Sequence, residues 1–216
     1  MLGFDLSERT ELRWMRKAPR SPEPARRWAA FLRNHREAID AMDFFTVPTL
    51  TFGVLYCFFV IAHDRRRILH FNVTKHPTSA WVVQQLRNTF PYDSAPGYLI
   101  FDRDSSFNAE TIEVVKSFGI QPKRTSFHSP WQNGVAERWV GNCRRDLLDH
   151  VIALNERHMK RLVNEYVNYY HDDRTHLGLD KQTPAGRVAA EDTSTNSKVV
   201  SMPRLGGLHH RYELAA

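Results

Sequence analysis

The stretch AIDAMDFFTV, residues 38–47, is followed by TFGVLYCFFVIAH, residues 51–63, and by ILHFNV, residues 68–73. All three are rich in β-branched and aromatic residues, a composition that favours strands. The polar residues HDRR between the second and third runs predict a turn, and therefore an antiparallel hairpin. We expect these three strands to form the first part of a sheet.

The chain then alternates between helical and strand-like patterns. We predict helices at 78–89, 109–118, 134–153 and 155–171, and strands at 97–101 and 120–126. A meander followed by alternating helices and strands predicts an α/β fold, in which helices pack on a mixed sheet of five strands.

The segments on either side of this core have a different character. LGFDLSERTELRWMRK, residues 2–17, predicts a short basic helix capped by Ser7. It is either the second half of a helix-turn-helix whose first helix would precede Met1, or an isolated amphipathic helix. A proline-rich connector and a linker helix follow. We divide the chain into a partial helix-turn-helix remnant with a linker helix (1–37), a core (38–190), and a polar linker with a short β-like tail (191–216).

Composition indicates a folded protein with an anionic partner. The sequence is 42% hydrophobic and 12% aromatic, with net charge +6 and a pI near 9.5. A basic surface suits DNA, because neutralising phosphates releases counterions. Cys57 and Cys143 lack the spacing of a disulfide framework or zinc site, which favours a reducing, cytosolic location. The longest apolar run, Val54 to Ala62, is too short to span a bilayer, so we expect no membrane partner.

Three carboxylates that are well separated in the sequence are the candidate catalytic residues. Asp43 shares a strand face with apolar neighbours, a costly position unless the carboxylate is paired or binds metal. Asp102 ends the strand GYLIF, and Asp104 follows two positions later. Glu137 lies in the first turn of a helix. Each alone has an ordinary explanation as a turn, cap or helix-dipole residue. Together, in the order Asp, Asp, helical Glu, they suit the two divalent ions of a phosphoryl-transfer site.

Residues near Glu137 are candidate DNA contacts. Gln132 and Asn133 lie in the loop before its helix, and Arg138, Arg144 and Arg145 lie on the helix itself. Amides and guanidinium groups suit phosphate contacts, although a solvated helix face explains the arginines equally well. A second basic cluster, Arg65 to Arg67, is expected to be a solvated turn.

Several motifs resemble a known family. MDFFTV (42–47), FDRDSSF (101–107) and SPWQNGVAER (129–138) resemble the catalytic core of the DDE integrases and insertion-sequence transposases. YYHDDRTHLGLDKQTPAGR (169–187) resembles a segment that many bacterial members carry after that core. The resemblance runs from about residue 38 to 190.

The resemblance implies an RNase H-like fold and a metal-binding catalytic triad of Asp43, Asp102 and Glu137. It also implies two Mg²⁺ or Mn²⁺ ions, element-end and target DNA as partners, a homo-oligomer when active, and action in the bacterial cytoplasm on nucleoid DNA. Glu137 follows Asp102 by 35 positions, which matches the family spacing, and follows Asp104 by 33. Members often carry glycine where this chain has Asp104, so Asp104 stays an alternative ligand.

The expected activity is DNA transposition or integration by a polynucleotidyl transferase, through phosphodiester hydrolysis and strand transfer. Two alternatives stay open. One is an inactive, DNA-binding transposase remnant. The other is an RNase H-like nuclease, for which Asp172 or Asp173 would supply a fourth carboxylate.

Overall fold

A computed structural model describes residues 23–91, 94–127, 129–187 and 198–215. The chain divides into two compact units, 1–35 and 36–216. In the first unit the described element is helix α1 (Glu23–Asn34), which covers most of the predicted linker helix and buries none of its residues. The expectations for residues 1–22 and for most of the polar linker lie outside the described residues.

The second unit is built on the predicted five-stranded mixed sheet. Its strands are β1 (Ile39–Pro48), β2 (Val54–Ala62), β3 (Ile68–Thr74), β4 (Tyr98–Phe101) and β5 (Gln121–Arg124). Their order across the sheet is β3-β2-β1-β4-β5. The first three strands pair antiparallel, whereas β4 pairs parallel with both β1 and β5. The predicted meander and the α/β architecture are therefore confirmed.

Four helices accompany the sheet: α2 (Ser79–Thr89), α3 (Ala109–Ser117), α4 (Gly134–Asp146) and α5 (Glu156–Asp172). The N-terminal caps of α2, α3 and α5 are side chains that accept a backbone N–H: Thr78 from Trp81, Asn108 from Thr111, and Asn155 from His158. Such caps satisfy N–H groups that have no partner within the helix.

The prediction of one helix across residues 134–153 is wrong in its second half. Helix α4 ends at Asp146, and a short 3-10 turn follows at Leu148–His150. Ala153 forms a parallel bridge with Thr49 and accepts the N–H of Leu50 at 2.9 Å. This pairing with the end of β1 fixes Ala153 in extended backbone, which a helix cannot provide.

The sheet is buried on both faces. On one face Met42 and Phe58 belong to a cluster with Leu86 of α2 and Val115 of α3. On the other face the ring centroid of Trp139 in α4 lies 4.3 Å from that of Phe59 and 5.7 Å from that of Phe45. Because side chains alternate along a strand, Asp43 lies on the α4 face, together with Phe45.

The C-terminal tail forms the expected β-structure, a hairpin of β6 (Lys198–Arg204) and β7 (His209–Ala215). It packs against the core through His209. The imidazole Nε2 lies 2.9 Å from the Asp146 carbonyl oxygen, and the ring stacks on Tyr169 at 4.8 Å. No described helix has both the length and the apolar character needed to cross a membrane.

Candidate active site

The three acids predicted as a triad line one cleft of about 400 Å³. Asp43 comes from the middle of β1, Asp102 from the residue after β4, and Glu137 from the first turn of α4. Asp104 lines the same cleft. The fold therefore brings acids that are far apart in the sequence into one cleft beside the neighbouring strands β1 and β4.

Asp43 is held in place by local backbone and by an amide. Its Oδ1 accepts the N–H of Phe44 at 2.7 Å, and its Oδ2 accepts Nδ2 of Asn133 at 3.3 Å. Nδ2 of Asn133 also lies 3.5 Å from the carbonyl oxygen of Met42. The buried Oδ1 of Asn133 has no hydrogen-bond partner among the described residues. Asn133 thus connects the start of α4 to the strand that carries Asp43.

Asp102 and Asp104 occupy consecutive turns. The carboxylate of Asp102 accepts the N–H of Asp104 at 2.9 Å, and that of Asp104 accepts the N–H of Ser106 at 2.7 Å. Both are turns in which an Asp side chain bonds the backbone two residues on. Asp102 raises the pKa of Asp43 more than Asp104 does. This electrostatic order favours Asp102 as the closer member of the cluster.

Glu137 is exposed at the start of α4. A short 3-10 turn, Pro130–Asn133, leads directly into the helix and fixes its position over the sheet. Within the described residues Glu137 forms no hydrogen bond or ion pair. Its carboxylate is therefore free to bind a ligand in the cleft.

The cleft has an excess of negative charge. The pKa of Asp43 is raised to about 8, chiefly by burial and then by the charges of Asp102, Glu137 and Asp104, while the N–H of Phe44 acts to lower it. Among the described residues no lysine or arginine forms an ion pair with any of these four acids. Clustered carboxylates that lack a cationic side chain are stabilised when a cation binds between them.

The donor set suits a hard divalent cation, because all the candidate ligands are carboxylate oxygens. In the described parts of the chain, however, no group of three or more His, Cys, Asp or Glu side chains is arranged to hold a metal ion as it stands. The chemistry of the cleft therefore fits Mg²⁺ or Mn²⁺, while the carboxylates form an open rather than a closed site.

The five predicted DNA contacts fall into two groups. Gln132 and Asn133 are buried, and the Oε1 of Gln132 accepts the N–H of Ser126 at 2.6 Å. These two amides face the interior rather than the surface, because they fix the loop before α4 and the carboxylate of Asp43. The three arginines, Arg138, Arg144 and Arg145, are exposed on α4.

Two of those arginines also contact the protein. Nη2 of Arg144 donates to the carbonyl oxygen of Thr46 at 3.3 Å, and Nη2 of Arg145 donates to Oδ1 of Asn142 at 2.7 Å. Each guanidinium keeps further donors for an outside partner, because arginine has five N–H groups.

Sequence reasoning missed an arginine at the mouth of the cleft. Nε of Arg103 donates to the carbonyl oxygen of Thr125 at 3.0 Å, and its Cζ lies 4.3 Å from the ring centroid of Phe127. Phe127 is 72% exposed, and both side chains line the cleft. In the sequence Arg103 lies between the candidate ligands Asp102 and Asp104, and this position could have identified it as a residue of the cleft.

The expectation of a solvated turn at Arg65 to Arg67 is wrong for Arg65. Its guanidinium donates to Oε1 of Gln182 at 2.9 Å and to the carbonyl oxygens of Thr183 at 2.8 Å and Pro184 at 3.3 Å. A planar guanidinium can satisfy several acceptors at once, so Arg65 fastens the β2–β3 turn to the segment after α5.

Comparisons with known sequences place this geometry in context. The profile of the family described as integrase core domain matches residues 118–184. Over 129 residues the chain is 26% identical to the putative transposase InsD for insertion element IS2E of Escherichia coli K12, covering 55% of this chain and 58% of that protein. The same identity and length relate it to the E. coli transposase InsD for IS2A/D/F/H/I/K, of which 42% is covered. The chain thus matches only about half of these relatives' length.

Solved structures share the fold. A simian T-cell lymphotropic virus intasome chain matches with TM-score 0.56 at 13% identity, over 83% of this chain and 67% of that one. The HTLV-2 integrase catalytic core domain matches with TM-score 0.53 at 12% identity, over 70% and 95%. The Mos1 transposase catalytic domain matches with TM-score 0.55 at 11% identity, over 76% and 85%. These neighbours confirm the RNase H-like fold. In sequence the chain is similar to the integrase core domain family over residues 118–184 and, more widely, to the InsD transposases.

Proposed function

We propose that this chain is the catalytic core of a bacterial transposase, which cleaves DNA at the ends of a mobile element and joins those ends to target DNA. The observation that carries the proposal is the acidic cleft. Asp43, Asp102 and Glu137 line it together, and desolvation, followed by the neighbouring carboxylates, raises the pKa of the half-buried Asp43. Such a charge distribution suits metal-dependent phosphodiester chemistry.

In this proposal Asp43, Asp102 and Glu137 hold two Mg²⁺ or Mn²⁺ ions. When bound, the ions would activate a water or a DNA 3′-hydroxyl and stabilise the leaving 3′ oxygen. The chain's own residues prepare the site. Asn133 orients the carboxylate of Asp43 through its Nδ2, and the Asp104 N–H orients that of Asp102.

DNA is the proposed partner, as both element ends and target. In the proposal the exposed guanidinium groups of Arg138, Arg144 and Arg145 on α4 contact phosphates beside the cleft, whereas the buried Gln132 and Asn133 position the loop and Asp43. We further propose that the active form is a homo-oligomer working on nucleoid DNA in the cytoplasm. Similar structures include an intasome and dimeric and trimeric catalytic cores.

The test is to measure Mg²⁺-dependent cleavage and strand transfer on terminal-repeat DNA. We expect Asp43→Asn, Asp102→Asn and Glu137→Gln each to lower the rate by about 100-fold or more, since each removes a charge that binds metal, and loss of a partner outside the ligands already costs up to about 100-fold. Asp104→Asn is the matched control and is expected to keep more activity than Asp102→Asn. Full activity in the three triad variants would disprove the assignment. An inert wild-type protein that still binds DNA would instead support the inactive remnant.

The nuclease alternative needs Asp172 or Asp173 as a fourth acid, and neither is among the described residues that line the acidic cleft. The surroundings of Asp173 also disfavour it. Its carboxylate is 4% exposed and pairs with Arg187, Arg204 and Arg211. It lines a separate cavity, against the C-terminal hairpin. A carboxylate already neutralised in this way does not supply the fourth acid that an RNase H-like nuclease would need. Cleavage of RNA–DNA hybrid in preference to duplex DNA would reverse this conclusion.

A further inference from the structure

Two segments leave the sheet side by side at the rim of the acidic cleft. The pairing of β4 with β5 continues one residue beyond β5, where the N–H of Thr125 donates to the carbonyl oxygen of Phe101 at 2.9 Å. Arg103 follows Asp102 on the first segment, and Phe127 follows Thr125 by two positions on the second. Both Arg103 and Phe127 line the cleft. The strands that position Asp102 therefore also position these two side chains.

Arg103 lies between Asp102 and Asp104 in the sequence, and in the described structure it forms an ion pair with neither. Its Nε donates instead to the carbonyl oxygen of Thr125 at 3.0 Å, and its Cζ lies over the ring of Phe127, 4.3 Å from the centroid. Within the described residues its two terminal nitrogens form no hydrogen bond. A guanidinium carries donors on all three nitrogens, so the terminal ones are open to an outside acceptor.

Phe127 has an open aromatic face beside the cleft. The residue is 72% exposed although the Arg103 guanidinium covers one side of its ring, so the other side of the ring meets solvent. Exposure alone is not evidence of a site, since Phe52 in the β1–β2 turn is 96% exposed and is not among the described residues that line the cleft. Two features distinguish Phe127 from Phe52: its place beside the candidate ligands and its stacking on a cation.

We propose that Phe127 and Arg103 form a platform for one unpaired nucleotide of the DNA end that enters the acidic cleft. The base stacks on the open face of Phe127, and the terminal nitrogens of Arg103 donate to a phosphate oxygen. The inference rests on DNA as the proposed substrate and adds that one base at the bound end leaves the double helix. Every base has a π face, so the platform selects an unpaired nucleotide and not a particular sequence.

The charge of the cleft explains why the two side chains act together. The clustered carboxylates repel a phosphate, and Arg103 is the sole lysine or arginine among the described residues that line the cleft. An ion pair with Asp102 or Asp104 would use up its charge. The hydrogen bond to Thr125 and the stacking on Phe127 hold the guanidinium away from both carboxylates. The ring of Phe127 thus keeps Arg103 available to a phosphate while its own outer face receives the base.

The test compares two DNA ends by fluorescence anisotropy, a blunt duplex and the same duplex with a short single-stranded end. Ca²⁺ replaces Mg²⁺, because it takes the same oxygen ligands. The wild type should bind the single-stranded end about tenfold more tightly than the blunt one. Phe127→Leu should lose this preference and Phe127→Trp should keep it. Phe52→Leu is the matched control and should behave as the wild type.

Arg103→Gln tests the phosphate contact. It should weaken binding to both DNA ends and reduce the salt slope by about one phosphate equivalent, because one guanidinium contact with the backbone is lost. An unchanged affinity and salt slope would show that Arg103 does not bind a phosphate, and the platform as proposed would be wrong.

Abasic nucleotides in the single-stranded end separate stacking from a structural role, because they keep the phosphates and remove the bases. The wild type should bind the abasic end as weakly as Phe127→Leu binds the intact one, and Phe127→Leu should bind both alike. Equal losses for Phe127→Leu on the intact and abasic ends would mean that the ring only supports its loop. No loss on either end would mean that the ring does not touch DNA. Each of these two results refutes the platform.

These binding measurements are independent of cleavage, so the platform and the proposed function fail separately. If the platform is refuted while the triad variants still lose Mg²⁺-dependent cleavage, the proposed function stands. A wild type that binds neither DNA end would refute both.

Discussion

Asp43 is half-buried and the side chain of Asp173 is 4% exposed, and these two carboxylates have opposite surroundings. Asp173 is enclosed by Arg187, Arg204 and Arg211, with its Oδ2 2.6 Å from Nε of Arg204. Asp43 is surrounded by other carboxylates and has no cationic partner among the described residues. A buried charge is expensive unless it is paired or binds metal. We therefore expect Asp173 to stabilise the fold, whereas the proposed function gives Asp43 a metal ion as its partner.

The largest expected effect on stability comes from breaking the paired carboxylate. Asp173→Asn leaves three partly exposed arginines without their shared partner, and we expect a loss of about 3 kcal/mol in the free energy of unfolding. Urea denaturation measures it. The control is Asp172→Asn, an exposed neighbour expected to change stability by less than about 0.5 kcal/mol. A loss for Asp173→Asn no larger than the control's would mean that the arginine cluster does not hold the hairpin.

Replacing Asp43 is expected to increase the free energy of unfolding of the metal-free protein, the opposite of the effect at Asp173. Its folded-state pKa of about 8 lies above the ordinary value of 3.8, so between these values the folded state binds more protons than the unfolded state. Metal-free wild type should therefore lose stability as pH rises from about 4 to about 8. Asp43→Asn removes this pH dependence and should be more stable than the wild type at pH 8, with the gap closing near pH 4.

This prediction is checked by urea denaturation in EDTA at several pH values. Added Mg²⁺ should restore the wild type at pH 8 and leave Asp43→Asn unchanged, because a ligand that binds only the folded state stabilises it. If the metal-free wild type is as stable at pH 8 as Asp43→Asn, the surroundings of Asp43 do not destabilise the fold. The proposed difference between Asp43 and Asp173 would then be wrong.

The sequence predicted the fold because the decisive signals are local. Runs such as FFTV and YCFFVIA favour strands without reference to the rest of the chain. The end of α4 was missed because it depends on the pairing of Ala153 with Thr49, which are about a hundred residues apart in the chain. No local pattern carries that information.

The difference between local signals and contacts with distant parts of the chain also applies to the site. The order and spacing of Asp43, Asp102 and Glu137 predicted acids that line one cleft, because β1 and β4 are neighbouring strands and α4 packs over them. The inward orientation of Asn133 and the pairing of Asp173 with arginines of the C-terminal hairpin were not predictable. Both depend on which distant element packs against the side chain, and a residue type does not specify that.

The smallest effect is expected at an exposed ion pair, and it tests whether burial is what makes the pairing of Asp173 strong. Nζ of Lys116 lies 2.7 Å from Oε1 of Glu113 on α3, with more than half of each side chain exposed. Water screens this pair, so Glu113→Gln should cost about 0.5 kcal/mol or less in urea denaturation. A cost close to that of Asp173→Asn would show that stability follows the chain's net charge, since both variants add one positive charge to a basic protein. The cost of Asp173→Asn could then not be attributed to its ion pairs with the three arginines.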